Sequence, residues 1–123
     1  MSATTPYRRI PATADAIAEL FDPVSDELYE CRRTAQRLFK AAEKALATGQ
    51  VDPAHIDETE GLLTRVAMTI GRAESVMDRL VFPDEGVEWL WWAFIEEIHN
   101  LEAEIEVAMS DFRIVHENEH IFR

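Results

Sequence analysis

A chain of 123 residues, 47% of them hydrophobic, is the size of one domain and holds the apolar material for one core, which excludes multi-domain readings. A formal net charge of −12 excludes a general affinity for nucleic acid, because phosphate binding needs clustered Lys and Arg to displace counterions, and it disfavours anionic membrane surfaces. The single cysteine, Cys31, has no partner for an internal disulfide. No charged leader with an apolar segment opens the sequence, and the longest apolar run, Trp89 to Ile95, is far short of the roughly 20 residues that cross a bilayer, so a cytoplasmic protein is expected.

Residues 1–12, with Arg8, Arg9, Pro6 and Pro11 and no hydrophobic period, read as an N-terminal tail or extended arm. Thr13 then caps a short helix with Ile17, Leu20 and Phe21 on its apolar edge, its hydroxyl accepting from the free N–H groups of the first turn. That helix is expected to end at Asp22-Pro23. The same pair opens the next element, with Asp22 as N-cap and Pro23 in the first turn, where its missing N–H costs nothing. Leu28, Cys31, Ala35, Leu38, Ala42 and Ala45 follow at alternating spacings of three and four up to Gly49, a helix stop. Asp52-Pro53 repeats the start signal, and Ile56, Thr59, Leu63, Val66, Ile70, Ala73, Met77 and Leu80 continue the spacing before Pro83 ends it. Gly61 and Gly71 weaken this second helix and suggest close approach of a neighbour. After Asp84, a third line runs through Val87, Trp91, Phe94, Ile98, Leu101, Ile105, Ala108 and Phe112.

No period-two alternation or hairpin signal competes with these patterns. The fold expected is all-α: an antiparallel bundle of three long helices plus a short N-terminal helix, over residues 13–112, with residues 113–123 as a C-terminal segment. The first long helix carries Arg32, Arg33, Arg37, Lys40 and Lys44, and the third carries Glu96, Glu97, Glu102, Glu104, Glu106 and Asp111. These two helices run parallel in such a bundle, and their opposite charges favour that arrangement.

One stripe covers about a third of a helix, and the line through Val87, Trp91, Phe94 and Ile98 already fills it. Trp89, Leu90, Trp92 and Ile95 lie outside that line, with His99 one turn beyond Ile95. The first two turns of the third helix are therefore apolar nearly all round, and something must cover them. Phe21 of the N-terminal helix is one cover. A partner protein is the other, since Trp is enriched at binding hot spots. Trp89, Leu90, Trp92, Ile95 and His99 are accordingly the candidate partner-binding residues.

Three patterns invite a chemical reading. His116-Glu117-Asn118-Glu119-His120 satisfies both HExxH and its reverse, a zinc-binding spacing in which His116 and His120 share one helix face. Only Ile121, Phe122 and Arg123 follow, so a third ligand would have to come from upstream, and a solvated C-terminal segment is the expected state. Glu96–His99 and Glu117–His120 match the ExxH element of di-iron bundles, yet the core line passes through Ile98 and Leu101 and leaves the first pair off centre. Cys31 lies on an apolar stripe without a His or orienting group near it in sequence, as a buried structural thiol would, and His55 is expected to be exposed. No catalytic residue, metal or cofactor is assigned.

With its acidic composition, its helical layout and the Leu90-Trp91-Trp92-Ala93 stretch opening an aromatic-rich last helix, the chain resembles the small acidic helical regulatory proteins of pseudomonads, among them the quorum-sensing antiactivators. The resemblance implies a non-enzymatic protein that binds a transcription regulator and blocks its dimerisation. It assigns no binding residue, and neither the charge split between helices nor the HENEH segment belongs to it. The function expected is thus binding and modulation of another protein through an aromatic helix surface, together with homodimerisation and without direct nucleic-acid or membrane contact. The alternatives are an acidic nucleic-acid mimic, in which the third helix's glutamates carry binding, and a metal-binding helical bundle.

Overall fold

Each helix starts where a side chain can satisfy N–H groups that have no partner within the helix. In the computed structural model, which describes residues 9–119 and 121, Thr13 Oγ1 accepts from the N–H of Ala16 at 3.1 Å and opens α1 (Ala14–Thr48). Asp52 Oδ1 accepts from Ala54 at 2.9 Å and opens α2 (Pro53–Arg79), with Pro53 at the helix start. Asp84 Oδ1 accepts from Val87 at 2.9 Å and opens α3 (Glu85–Asn118). Gly49 ends α1 in the left-handed region, φ 72°, and sends its N–H back to the Ala45 carbonyl at 2.8 Å. That conformation is open to glycine without strain.

The three helices pack on one another as an all-α bundle, α1 and α3 parallel and α2 antiparallel between them in sequence. The predicted lines meet inside. Leu28, Cys31, Ala35, Leu38, Ala42 and Ala45 are all buried, as are Val66, Ile70, Ala73 and Met77 from α2 and Ile98, Leu101, Ile105 and Phe112 from α3. Two polar side chains join them without losing hydrogen bonds: Thr59 Oγ1 donates to the His55 carbonyl at 2.6 Å and Thr69 Oγ1 to the Arg65 carbonyl at 2.8 Å.

The short N-terminal helix expected before Asp22-Pro23 is not a separate element. Residues 14–22 are the opening turns of α1, which runs 35 residues straight through Pro23. An interior proline leaves the carbonyl four residues earlier without its N–H partner and costs about 3 kcal/mol. What carries the helix across is burial in phase: Phe21, Val24, Leu28 and Cys31 continue one stripe with spacings of three, four and three, all 5% exposed or less. A break at Asp22 would turn Phe21 away from that line. Pro23 itself is exposed, so its ring is not part of the core.

Three further differences concern the ends and the surface. The N-terminal arm is docked at Ile10–Pro11 (β1), which pairs in parallel with Leu80–Val81 (β2), while Ala12 N–H donates to the Val81 carbonyl at 2.9 Å. Two-residue strands are too short for alternation to announce them. The C-terminal boundary placed at 112 falls inside α3, whose helix continues to Asn118 and buries Val115. Gly61 and Gly71 face open space, with nothing beyond the adjoining backbone of their own helix within 4 Å of where a Cβ would stand, so they do not mark a close helix approach.

The charge split between helices also resolves differently from expectation. Only Arg32–Glu97, at 3.6 Å, joins α1 to α3 among the described ion pairs. Arg37 grips Glu58 and Arg65 reaches Glu27 at 2.7 Å, both between α1 and α2, and Arg113–Glu60 at 3.0 Å links α3 to α2. All are substantially exposed, so each adds little stability.

Candidate functional site

At the start of α3 the helix meets only part of the bundle. Trp91 stacks on Phe21 of α1 with ring centroids 4.3 Å apart and planes 12° from parallel. Phe94 stands edge-on to both, 6.3 Å from Phe21 and 6.0 Å from Trp91. Such pairs add about 0.5–1.5 kcal/mol each beyond the area they bury. Phe21 is thus the intramolecular cover for one side of the aromatic turns.

It covers only that side. Trp89 is 67% exposed, Leu90 61% and Trp92 40%. At 3.6 residues per turn, Trp92 lies about 60° to one side of Trp89 and Leu90 about 100° to the other, so the three wrap roughly half of the helix circumference. Among the described residues, Trp92 holds one long hydrogen bond, from Nε1–H to Glu88 Oε1 at 3.4 Å, one turn earlier on the same helix. Val81, 48% exposed, lies at the same end of the bundle, just before the connection into α3.

Ile95 does not belong to this surface. It is 3% exposed and part of the core. α3 packs against α1 and α2 together, so its buried face is wider than one heptad line and takes in Ile95 and Met109 beside Ile98 and Leu101. His99 is exposed, as a surface residue should be, with Nδ1 3.8 Å from Glu102 Oε1 of the next turn, a pairing that is ionic only when the imidazole is protonated. Of the five predicted residues, Trp89, Leu90 and Trp92 share the open start of α3, His99 lies about two turns further on, and Ile95 is inside.

The chemical motifs are dispersed. His116 and Glu117 are exposed on the last turns of α3, and His120 lies outside the described residues. Glu96 and His99 point to solvent rather than into the bundle. Among the described residues, no three His, Cys, Asp or Glu side chains are grouped so as to hold a metal ion. Cys31 is fully buried, and its Sγ lies 3.8 Å from Glu27 Oε1, to which the thiol donates. Burial pushes that thiol up from its ordinary value, against the lowering pull of Arg65, so the nucleophilic thiolate is disfavoured. His55, expected to be exposed, is half-buried and stacks on Phe112 at 5.7 Å.

Sequence reasoning missed a second exposed apolar region, formed by Leu46 of α1 and Val107 of α3, 53% and 62% exposed. Each stands one position away from a core residue, Ala45 and Ala108, and that off-line placement is the signal that marks them. Among the described residues, no helix is long and apolar enough to cross a membrane. Comparison of the chain with protein-family profiles, curated proteins and solved structures finds no match.

Proposed function

We propose that this chain is a non-enzymatic, cytoplasmic regulatory protein that binds and modulates another protein through the aromatic start of α3. The observation that carries the reading is the exposure of Trp89, Leu90 and Trp92 side by side on a helix whose remaining tryptophan, Trp91, is already engaged by Phe21. Tryptophans left open to water favour a partner that desolvates them, and Trp is the residue type most enriched among binding hot spots. The resemblance to quorum-sensing antiactivators fits this use and makes a transcription regulator the partner to examine first. A homodimer through the same patch is the second arrangement, and it would bring Glu85 and Glu88 of both copies toward the seam.

Site-specific photo-crosslinking tests the reading. A photoreactive residue at Leu90 should yield a discrete adduct in native cytoplasm, lost on Trp89→Ala/Trp92→Ala, whereas the same residue at the exposed Glu74 of α2 should not. Identical adduct patterns from the two positions would contradict a dedicated surface. Sedimentation of the purified chain separates the two arrangements, since a homodimer should dissociate in the double variant without any second protein.

A further inference from the structure

Between the C-terminal halves of α1 and α3 runs a shallow groove of about 300 Å³. Ala42 and Ala108, both buried, lie at its floor, Phe39, Leu46 and Val107 add apolar lining, and the carboxylates of Glu43, Glu104 and Asp111 make its lining acidic at the rim. Phe39 packs on the core from its inner side, while Leu46 and Val107 are more than half exposed. No described ion pair engages any of the three rim carboxylates. The groove on the other side of α3 differs, because there Arg113 reaches across to Glu60 at 3.0 Å.

We infer that this groove docks an amphipathic helix with a basic rim, contributed by another protein. Charge complementarity selects that occupant. Apolar side chains on one stripe would fill the floor, and Lys or Arg on either side would meet carboxylates that form no ion pair among the described residues. A second copy is the poorer fit, since each chain has a formal net charge of −12 and would set like charges against the rim. The inference rests on the reading of the chain as a protein-binding regulator and gives the partner a chemistry. The site is nevertheless separate from the aromatic patch: Glu104 stands twelve positions after Trp92, about 18 Å along the helix.

The probe is a labelled helical peptide of about 18 residues, roughly five turns, with Leu on one stripe and Lys flanking it, followed by fluorescence anisotropy near physiological ionic strength. Leu46→Gln/Val107→Gln and Glu43→Gln/Glu104→Gln/Asp111→Asn should each weaken binding by about tenfold or more. Glu19→Gln/Glu74→Gln/Asp78→Asn, which neutralises three exposed carboxylates elsewhere, should change it by less than about twofold. The inference is overturned if the peptide does not bind, or if the distant carboxylates matter as much as the rim. Loss of binding on Trp89→Ala/Trp92→Ala with the groove variants unaffected also overturns it, while leaving the aromatic surface standing. A purified dimer that dissociates on Leu46→Gln/Val107→Gln would make a second copy the occupant instead. Circular dichroism of each variant confirms that the bundle is intact.

Discussion

The two ends of the bundle are finished in opposite ways. Where α1 ends and α2 begins, the chain turns through Gly49, Asp52 caps the next helix, the Val51 N–H donates to Glu119 Oε1 at 2.9 Å, and His55 lies on Phe112. Among the described residues, these contacts tie the backbone and cover the Phe112 ring from within. At the other end, the backbone is equally well tied, by Thr13, Asp84 and the β1–β2 pair, but the aromatic surface is only half covered. Capping is a local matter that each sequence segment settles for itself, whereas covering a helix that is apolar all round needs neighbours on several sides. Phe21 supplies one of them.

The strongest way to break this contrast is to remove that one cover. Phe21→Ala deletes a ring that is 2% exposed and stacked on Trp91, and it should cost about 3–5 kcal/mol in denaturant unfolding, with hydrogen-exchange protection falling first in the opening turns of α1 and α3. Pro23→Ala should sharpen the contrast instead. The ring is exposed, and restoring the N–H should stabilise the chain by about 1–3 kcal/mol, read from the shift in urea midpoint. A loss of stability would mean that α1 needs Pro23 to place Phe21.

Smaller effects are expected on the walls between the ends. Gly61→Ala and Gly71→Ala add a methyl group into open space and should each stabilise by about 0.5–1 kcal/mol, measured by thermal unfolding. Nearer the capped end, the hydrogen bonds from Arg37 hold the Glu58 carboxyl below its ordinary value of 4.5. A carboxyl with a depressed folded value contributes stability that is present above its unfolded value and lost as pH falls through the folded one. Glu58→Gln should therefore flatten stability against pH below about 4.5, by no more than about 1 kcal/mol because the pair is exposed. An unchanged acid limb would show that this pair plays no part in holding α1 against α2.

Much of this arrangement was legible in the residues. The lines Leu28 to Ala45 and Ile98 to Phe112 identify buried faces directly, because spacings of three and four leave little freedom in which side of a helix meets the core. Two inferences failed for a common reason, which is that tertiary packing overrides local signals. Asp22-Pro23 has the form of a helix start, yet the stripe through Ile17, Phe21, Val24 and Leu28 stays in phase across it, and burial outweighs the lost hydrogen bond. Ile95 looked surplus to a single stripe, but a helix seated against two others buries more than one stripe. Trp89 and Trp92 were identified as outside the core line from spacing alone, and they are exposed. The groove at Leu46 and Val107 was not found, because it depends on the lateral pairing of α1 with α3, which no one-dimensional pattern encodes.

The distinction between Trp91 and its neighbours is the centre of the account, and urea unfolding of the Trp89→Ala/Trp92→Ala double variant tests it most directly. If both rings belong to the surface, their joint removal should cost less than about 1.5 kcal/mol, with the slope against urea unchanged. A loss of about 3 kcal/mol or more for each ring, the size expected for a buried aromatic, would place them in the core and contradict the account.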